Sequence, residues 1–201
     1  MSKLLYIKAN PKPDNVSRTF RISEEFIKAY KEKNPKDEII TLDLYKENIR
    51  YLTMEDINDV FSKKDEDSKN HTILKYAYQF AEADKYVVAA PLWNLSIPSI
   101  LKSYIDYISV TGITFKYTEN GPVGLCQGKK AIHIVARGGA YGTEPFSSYE
   151  MGDRYLRTFF GFLGITDFTT IAAENLDVVG ADVEGIVAKA ITQAKNAAQN
   201  F

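Results

Sequence analysis

Apolar positions along this chain form short continuous runs that alternate with longer stretches of helical spacing. Runs of roughly four to eight apolar residues are typical of strands buried on both faces of a parallel sheet. Five such runs predict strands at residues 4–9, 38–44, 86–90, 130–136 and 167–173. Between them, apolar residues recur every three or four positions and predict helices, at residues 18–33, 69–82, 98–110 and 148–161, with a last apolar stripe from Val183 to Ala194.

This alternation predicts one α/β domain over residues 1–201, with a doubly wound, five-stranded parallel sheet and helices on both faces. Loops suited to ligands follow the first and third strands, which favours the flavodoxin-like strand order 2-1-3-4-5. Residues 113–125 interrupt the rhythm with alternating aromatic residues and a turn signal at Asn120-Gly121-Pro122, so we expect a small excursion there. The charged run at 62–70 predicts a solvated junction between helices.

Composition narrows the classes of function. The 201 residues carry 25 basic and 26 acidic side chains, and a net charge of −1 argues against a nucleic-acid partner. No window approaches the roughly 18 apolar residues of a membrane span. Cys126 is the only cysteine, which excludes an internal disulfide and suits the reducing cytoplasm. With only His71 and His133 besides, no metal site is expected.

The loop after the third strand is the most informative segment. It runs from Leu92 to Ile97, follows Pro91, and carries Leu, Trp and Ile side chains beside a single Asn. Loops are normally polar, and open α/β sheets bind ligands outside the carboxyl ends of their strands. The loop therefore predicts a surface for a flat, partly apolar molecule that also needs hydrogen bonds, although Trp93 by itself is more often a packing residue.

Two further loops fall at strand ends that the same order places nearby. Ser17-Arg18-Thr19 opens the first helix, where hydroxyls and free N–H groups suit an anion, although Ser17 by itself is more often a simple N-cap. Arg137-Gly138-Gly139 follows the fourth strand and allows close backbone approach to a ligand, although such a pair of glycines by itself is more often a flexible turn. A mononucleotide with a phosphate tail and a flat ring would use all three loops.

Competing motifs are absent or incomplete. No G-x-G-x-x-G follows the first strand and no G-x-S-x-G occurs. Residues 124–130 imitate a P-loop but are one residue short and precede a strand. His133, in a predicted central strand, is interpreted as a hydrogen-bonded core residue, and Cys126 as a small inert apolar one.

Four segments of the chain, which include two of the three loops, resemble those of a known family. The segments PLWNLSIPSILKSYIDY, FKYTENGPVGL, GKKAIHIVARGG and FFGFLGI are similar to those of the FMN-dependent NADH:quinone oxidoreductases, also called FMN-dependent NADH-azoreductases. The resemblance runs nearly end to end. It implies a flavodoxin-like homodimer with FMN at the interface, which takes a hydride from NADH or NADPH and reduces quinones or aromatic azo compounds by a ping-pong mechanism.

The resemblance also implies site residues. Those expected to bind FMN cradle its phosphate, border its ring or face its pyrimidine side: Asn10, Ser17, Arg18, Thr19, Leu92, Trp93, Asn94, Leu95, Ala136, Arg137, Gly138 and Gly139. Asn94 is expected at the N5/O4 edge of the flavin, while Tyr117 and Phe162 wall the acceptor pocket. Asn10 and Ala136 replace serines found in other members, and Trp93 replaces a tyrosine.

A different class of protein fits part of this pattern. A flavodoxin-type electron carrier would bind FMN without turning over small molecules. Such carriers are typically acidic, so that they steer toward basic partners. The net charge of −1 and the apolar excursion at 113–125 favour the enzyme.

Overall fold

The main sheet has the architecture that the sequence predicts. The computed structural model describes residues 1–62 and 66–201. Seven strands lie in these residues: β1 Lys3–Lys8, β2 Glu38–Asp43, β3 Lys85–Ala89, β4 Phe115–Thr118, β5 Gly121–Gly124, β6 Lys130–Ala136 and β7 Asp167–Ala173. Five of them pair in parallel in the order β2-β1-β3-β6-β7, which confirms the predicted flavodoxin-like order.

Helices cover both faces of this sheet and enclose two apolar cores. Their bounds are α1 Arg18–Lys33, α2 Met54–Phe61, α3 Leu74–Glu82, α4 Ser99–Ile108, α5 Gly152–Phe162 and α6 Val183–Ala198. One core joins the sheet to α1 and α6 through Phe20, Phe26 and Val187. The other joins it to α3, α4 and α5, with Leu101 and Leu156 among its fully buried side chains. The central strands β1, β3 and β6 are buried almost continuously because both of their faces are covered.

Two helices begin later than predicted because a side chain caps each of them. The His71 ring nitrogen Nδ1 accepts the N–H groups of Ile73 and Leu74, so α3 begins at Leu74 and not near residue 69. A 3-10 helix, Glu66–Asn70, occupies the described end of the charged run, whose residues 63–65 lie outside the described residues. Helix α5 likewise begins at Gly152 and not near residue 148, because the Glu150 carboxylate accepts the N–H groups of Asp153 and Arg154. A 3-10 helix at Ser147–Tyr149 precedes it. A capping side chain takes up the first free N–H groups of a helix.

The excursion predicted at 113–125 is an antiparallel hairpin of β4 and β5, separate from the main sheet. It is attached to the end of α5. The Cys126 N–H donates to the Leu163 carbonyl oxygen at 2.9 Å, and a Cβ at Gly124 would lie 2.0 Å from the Leu163 carbonyl carbon. Only glycine fits such a contact between backbones.

No helix within residues 1–62 and 66–201 combines the length and the apolar character needed to cross a membrane.

Candidate functional site

The three loops singled out in the sequence meet at one edge of the sheet, where the parallel strands end. They enclose a cleft of about 360 Å³. Its wall includes predicted residues from each loop: Asn10, Arg18, Thr19, Leu92, Trp93, Ala136, Arg137 and Gly138. We call this space the three-loop cleft. Because β1, β3 and β6 are adjacent and parallel, their carboxyl ends and the loops that follow necessarily lie side by side.

The start of α1 forms the first wall and leaves one hydroxyl without a partner. Ser17 is the helix N-cap: its Oγ accepts the Phe20 N–H at 3.2 Å and the Asn10 side-chain amide at 3.0 Å. Ser17 is buried and does not line the cleft. Thr19 does line it, and its buried Oγ1 has no hydrogen-bond partner among the described residues. Buried hydroxyls are normally paired, so Thr19 indicates a place for a ligand acceptor or donor.

Charge is also concentrated at this wall. Lys12 and Arg18 line the cleft, and the first turn of α1 contains no acidic residue that would take up its free N–H groups. Arg18 pairs with Asp177 through an Nη1–Oδ1 distance of 2.7 Å. Since both side chains are substantially exposed, this ion pair is weak, and a bound anion could replace Asp177 as the partner of Arg18.

The second wall is a tight turn. Trp93 and Ser96 exchange two backbone hydrogen bonds, at 2.9 and 3.0 Å, and this forces positive φ angles of 48° and 71° on Asn94 and Leu95. Neither residue is a glycine, so the turn holds them in a sparsely populated conformation. Leu92 and Trp93 line the three-loop cleft, whereas Asn94 and Leu95 lie exposed at the tip of the turn.

The third wall follows β6. The Leu92 N–H donates to the Ala136 carbonyl oxygen at 3.1 Å and so joins the second and third loops. The N–H groups of Gly138 and Gly139 donate to no protein acceptor in the described part of the chain. Gly138 lines the cleft, and a Cβ there would lie 2.6 Å from Asp177 Oδ2, so a larger residue would require the exposed Asp177 side chain to move. Arg137 Nε is buried and likewise unpartnered.

Sequence reasoning missed the loop after β7. Leu176 and Asp177 line the three-loop cleft, as do Lys12, Val16 and Pro91. The predicted strand order could have revealed this loop, because it places the last strand, β7, beside β6, so that both strands end at the same sheet edge. A second, more apolar cleft of about 470 Å³ adjoins the site; it includes predicted Leu95 and Gly139 together with Ala140, Tyr141, Phe146, Tyr149, Asn175 and Val178.

Tyr117 and Phe162 are not brought to the cleft within one chain. They flank Phe115, at ring-centre distances of 5.5 Å and 4.9 Å, on the hairpin and the end of α5. Their exposed fractions are 71% and 39%. Neither lines the three-loop cleft or the adjoining one.

Two titratable side chains that the sequence analysis assigned to the core, His133 and Cys126, are indeed buried there. His133 Nδ1 lies 2.9 Å from Asp153 Oδ1, as expected for a hydrogen-bonded core histidine. Burial opposes ionisation of Asp153, but hydrogen bonds with His133 and Thr170 and the nearby Arg157 outweigh it and lower its pKa to about 2. Burial raises the pKa of the Cys126 thiol, which disfavours the reactive thiolate. Within the described ranges, no three potential ligands cluster as a metal site requires.

Comparison with known proteins places the chain in a family. A family model described as a flavodoxin-like fold matches residues 2–198. An FMN-dependent NADH:quinone oxidoreductase of Clostridium acetobutylicum is 70% identical over the full length of both chains. The crystal structure of an azoreductase from Bacillus anthracis superposes with a TM-score of 0.90 at 38% identity, and covers both chains completely. This chain belongs to the FMN-dependent NADH:quinone oxidoreductases.

A second solved structure contains the cofactor. An FMN-dependent NADH-azoreductase of Bacillus anthracis, described in complex with FMN, superposes with a TM-score of 0.88 at 31% identity; it covers 100% of this chain and 99% of its own. The fold of this chain is therefore shared with that protein over the whole length.

Proposed function

We propose that this chain is an FMN-dependent oxidoreductase that takes a hydride from NADH or NADPH and passes two electrons to quinones or aromatic azo compounds, in a ping-pong mechanism. It would act as one flavodoxin-like domain spanning residues 1–201, in the cytoplasm. The observation that carries the proposal is the convergence of three loops on one cleft that holds unpartnered polar groups. The relatives named above support the reaction class, because their names state it.

The α1 side of the cleft fits the phosphate of FMN. A helix N-terminus offers free N–H groups and a positive dipole end to an anion. The orphan Thr19 Oγ1 lies in the second position of α1 and can donate to a phosphate oxygen. Lys12 and Arg18 add positive charge, so that a doubly charged phosphate is balanced at this wall.

The other two walls fit a flat ring with polar edges. Leu92 and Trp93 provide the apolar surface. Asn94 lies exposed at the tip of the same turn, and its amide would reach the N5/O4 edge of a flavin that extends past the cleft wall. The unpaired N–H groups of Gly138 and Gly139 suit the pyrimidine side, where negative charge develops on reduction. Bound FMN would supply the two-electron chemistry itself, while the chain orients it and excludes water.

The acceptor pocket requires a second copy of the chain. Tyr117 and Phe162 present apolar rings to solvent and lie outside both clefts of their own chain. Exposed aromatic groups of this kind mark association surfaces. We therefore propose a homodimer with FMN at its interface, in which these two rings lie over the cofactor bound to the other copy.

Purification in the presence of FMN tests the proposal. We expect a yellow protein that releases FMN on denaturation and sediments as a dimer. It should oxidise NADH rapidly when menadione is supplied, with parallel lines in double-reciprocal plots at several menadione concentrations, as ping-pong kinetics requires. An FMN-loaded protein that consumes NADH only when a separate reductase is added would instead be an electron carrier, and a protein that takes up no FMN would overturn the proposal entirely.

A further inference from the structure

A buried ion cluster lies beside the three-loop cleft and joins three segments of the chain. The Arg137 guanidinium contacts Glu174 through Nη1, at 3.1 Å, and Glu150 through Nη2, at 3.2 Å. The exposed fractions of the three side chains are 5% for Arg137, 10% for Glu150 and 24% for Glu174. We call these residues the clamp. Neither carboxylate lines the three-loop cleft.

Glu174 connects the clamp to the third loop. The Oε1 atom that contacts Arg137 also accepts the Tyr141 N–H at 2.9 Å. The Asn175 N–H, one residue further on, donates to the Gly139 carbonyl oxygen at 3.3 Å. The position of the Gly138-Gly139 backbone therefore depends on where Glu174 is held.

Glu150 connects the clamp to the second loop. Its two carboxylate oxygens accept the N–H groups of Asp153 and Arg154, at 2.8 and 3.1 Å, and so cap α5. The next residue, Met151, donates its N–H to the Leu95 carbonyl oxygen at 2.9 Å. This bond holds the strained Asn94-Leu95 turn from outside the cleft.

We propose that Arg137 is a positioning residue: by holding Glu150 and Glu174 together it sets the spacing between the Asn94-Leu95 turn and the Gly138-Gly139 backbone. Each of its two terminal nitrogens contacts one carboxylate, and through these contacts the guanidinium acts on a bound flavin by way of the two loops. An arginine suits this role because its planar fork can reach two carboxylates at once, whereas a lysine presents a single point charge. The proposal rests on the proposed function, since it concerns how tightly and in what electronic state FMN is held.

Glu174→Gln is the most informative variant, because its amide oxygen can still accept the Tyr141 N–H while the ion pair with Arg137 is lost. Glu150→Gln is the second variant and can still cap α5 with one oxygen. We expect each to raise the dissociation constant of FMN about tenfold, a typical coupling between neighbouring groups. Glu184→Gln is the matched control: it removes a carboxylate from an exposed arginine pair, Arg21–Glu184, and should leave FMN binding unchanged.

The midpoint potential of bound FMN separates positioning from a simple field effect. Removing the negative charge of Glu174 would by itself raise the potential, since it favours the more negative reduced form. Displacing the Gly138 and Gly139 N–H groups from the pyrimidine side would lower it. We expect a lower potential in Glu174→Gln, and a higher one would overturn the clamp.

A direct contact between the Arg137 guanidinium and FMN gives a different pattern. Arg137→Lys would then weaken FMN binding while Glu174→Gln and Glu150→Gln would not. The clamp predicts weakening in all three, and no further loss when Arg137→Lys is combined with Glu174→Gln. Fluorescence titration of apoprotein, checked by melting temperature, measures each case. If wild-type protein takes up FMN and the two carboxylate variants bind it equally well, the clamp fails alone; if wild-type protein takes up none, the proposed function fails.

Discussion

The three-loop cleft and the β4–β5 hairpin differ in how completely one chain builds them. In the cleft, Asn10 and Arg137 are buried; Asn10 is held by a hydrogen bond to Ser17 and Arg137 by ion pairs with Glu150 and Glu174. On the hairpin, Tyr117 is 71% exposed and packs against Phe115 of its own strand. The comparison shows that one chain encloses the cleft with buried, paired side chains but leaves the hairpin ring exposed, which is why we propose that a second copy covers the acceptor side.

Helix α5 links the two regions and explains their difference. Its N-terminal end is capped by Glu150 and lies among the buried polar groups that support the cleft. Its C-terminal end carries Phe162 and contacts the hairpin through Gly124. The first end is anchored by charge and hydrogen bonds to the sheet, and the second by a small contact between backbones.

The largest effect is expected where the hairpin meets α5. Gly124→Ala would place a Cβ 2.0 Å from the Leu163 carbonyl carbon, so one backbone must move, at a cost of about 3 kcal/mol in the free energy of unfolding. Chemical denaturation measures this cost. Gly161→Ala is the control, because the space at that α5 position is open; it should be neutral or slightly stabilising. Equal stability of Gly124→Ala and wild type would mean that the hairpin is not docked there.

The support of α5 near the cleft should depend on pH. Because the pKa of Asp153 is about 2, below its ordinary value of 3.8, its contribution to stability is present above about pH 4 and is lost as pH falls toward 2. Asp153→Asn should therefore cost about 2 kcal/mol at pH 7 and almost nothing near pH 2. Urea denaturation across this range measures the difference. Asp106→Asn, in an exposed pair with Lys102, should show little effect at either pH.

A smaller and more selective effect is expected at Thr19. Thr19→Val keeps the shape of the side chain but removes the orphan hydroxyl, so FMN should bind about tenfold more weakly while the apoprotein melts at the same or a higher temperature. Thr114→Val is the reverse control: its hydroxyl donates to the Ile108 carbonyl oxygen at 2.5 Å, away from the cleft. It should lower the melting temperature and leave FMN binding unchanged. Unaltered FMN affinity in Thr19→Val would remove Thr19 from the phosphate site.

The smallest effect on FMN binding is expected from the exposed rings. Tyr117→Ala and Phe162→Ala should leave the dissociation constant of FMN unchanged but raise the KM for menadione about fivefold, a loss of roughly 1 kcal/mol of aromatic packing. Tyr51→Ala, which removes another exposed tyrosine, is the control. Weakened FMN binding without a change in KM would show that the two regions are not divided as proposed.

Much of the fold could be read from periodicity. Five apolar runs and the helical stripes between them predict the parallel sheet and its order, because both signals depend on local spacing and on burial of both sheet faces. The starts of α3 and α5 could not be read in the same way. They depend on His71 and Glu150 turning their side chains onto backbone N–H groups, a choice that the spacing of apolar residues does not record.

The candidate site likewise has features that the sequence predicts and features that depend on tertiary contacts. The residue types of the three loops, and the fact that parallel strands end at one edge, were enough to predict that Thr19, Trp93 and Gly138 would meet. Tertiary structure alone decided that Arg137 binds two carboxylates and that Tyr117 lies outside the cleft of its own chain. The physical reason is distance along the chain: local patterns specify strands and loops, whereas the partner of a charged or aromatic side chain depends on segments brought together only by folding.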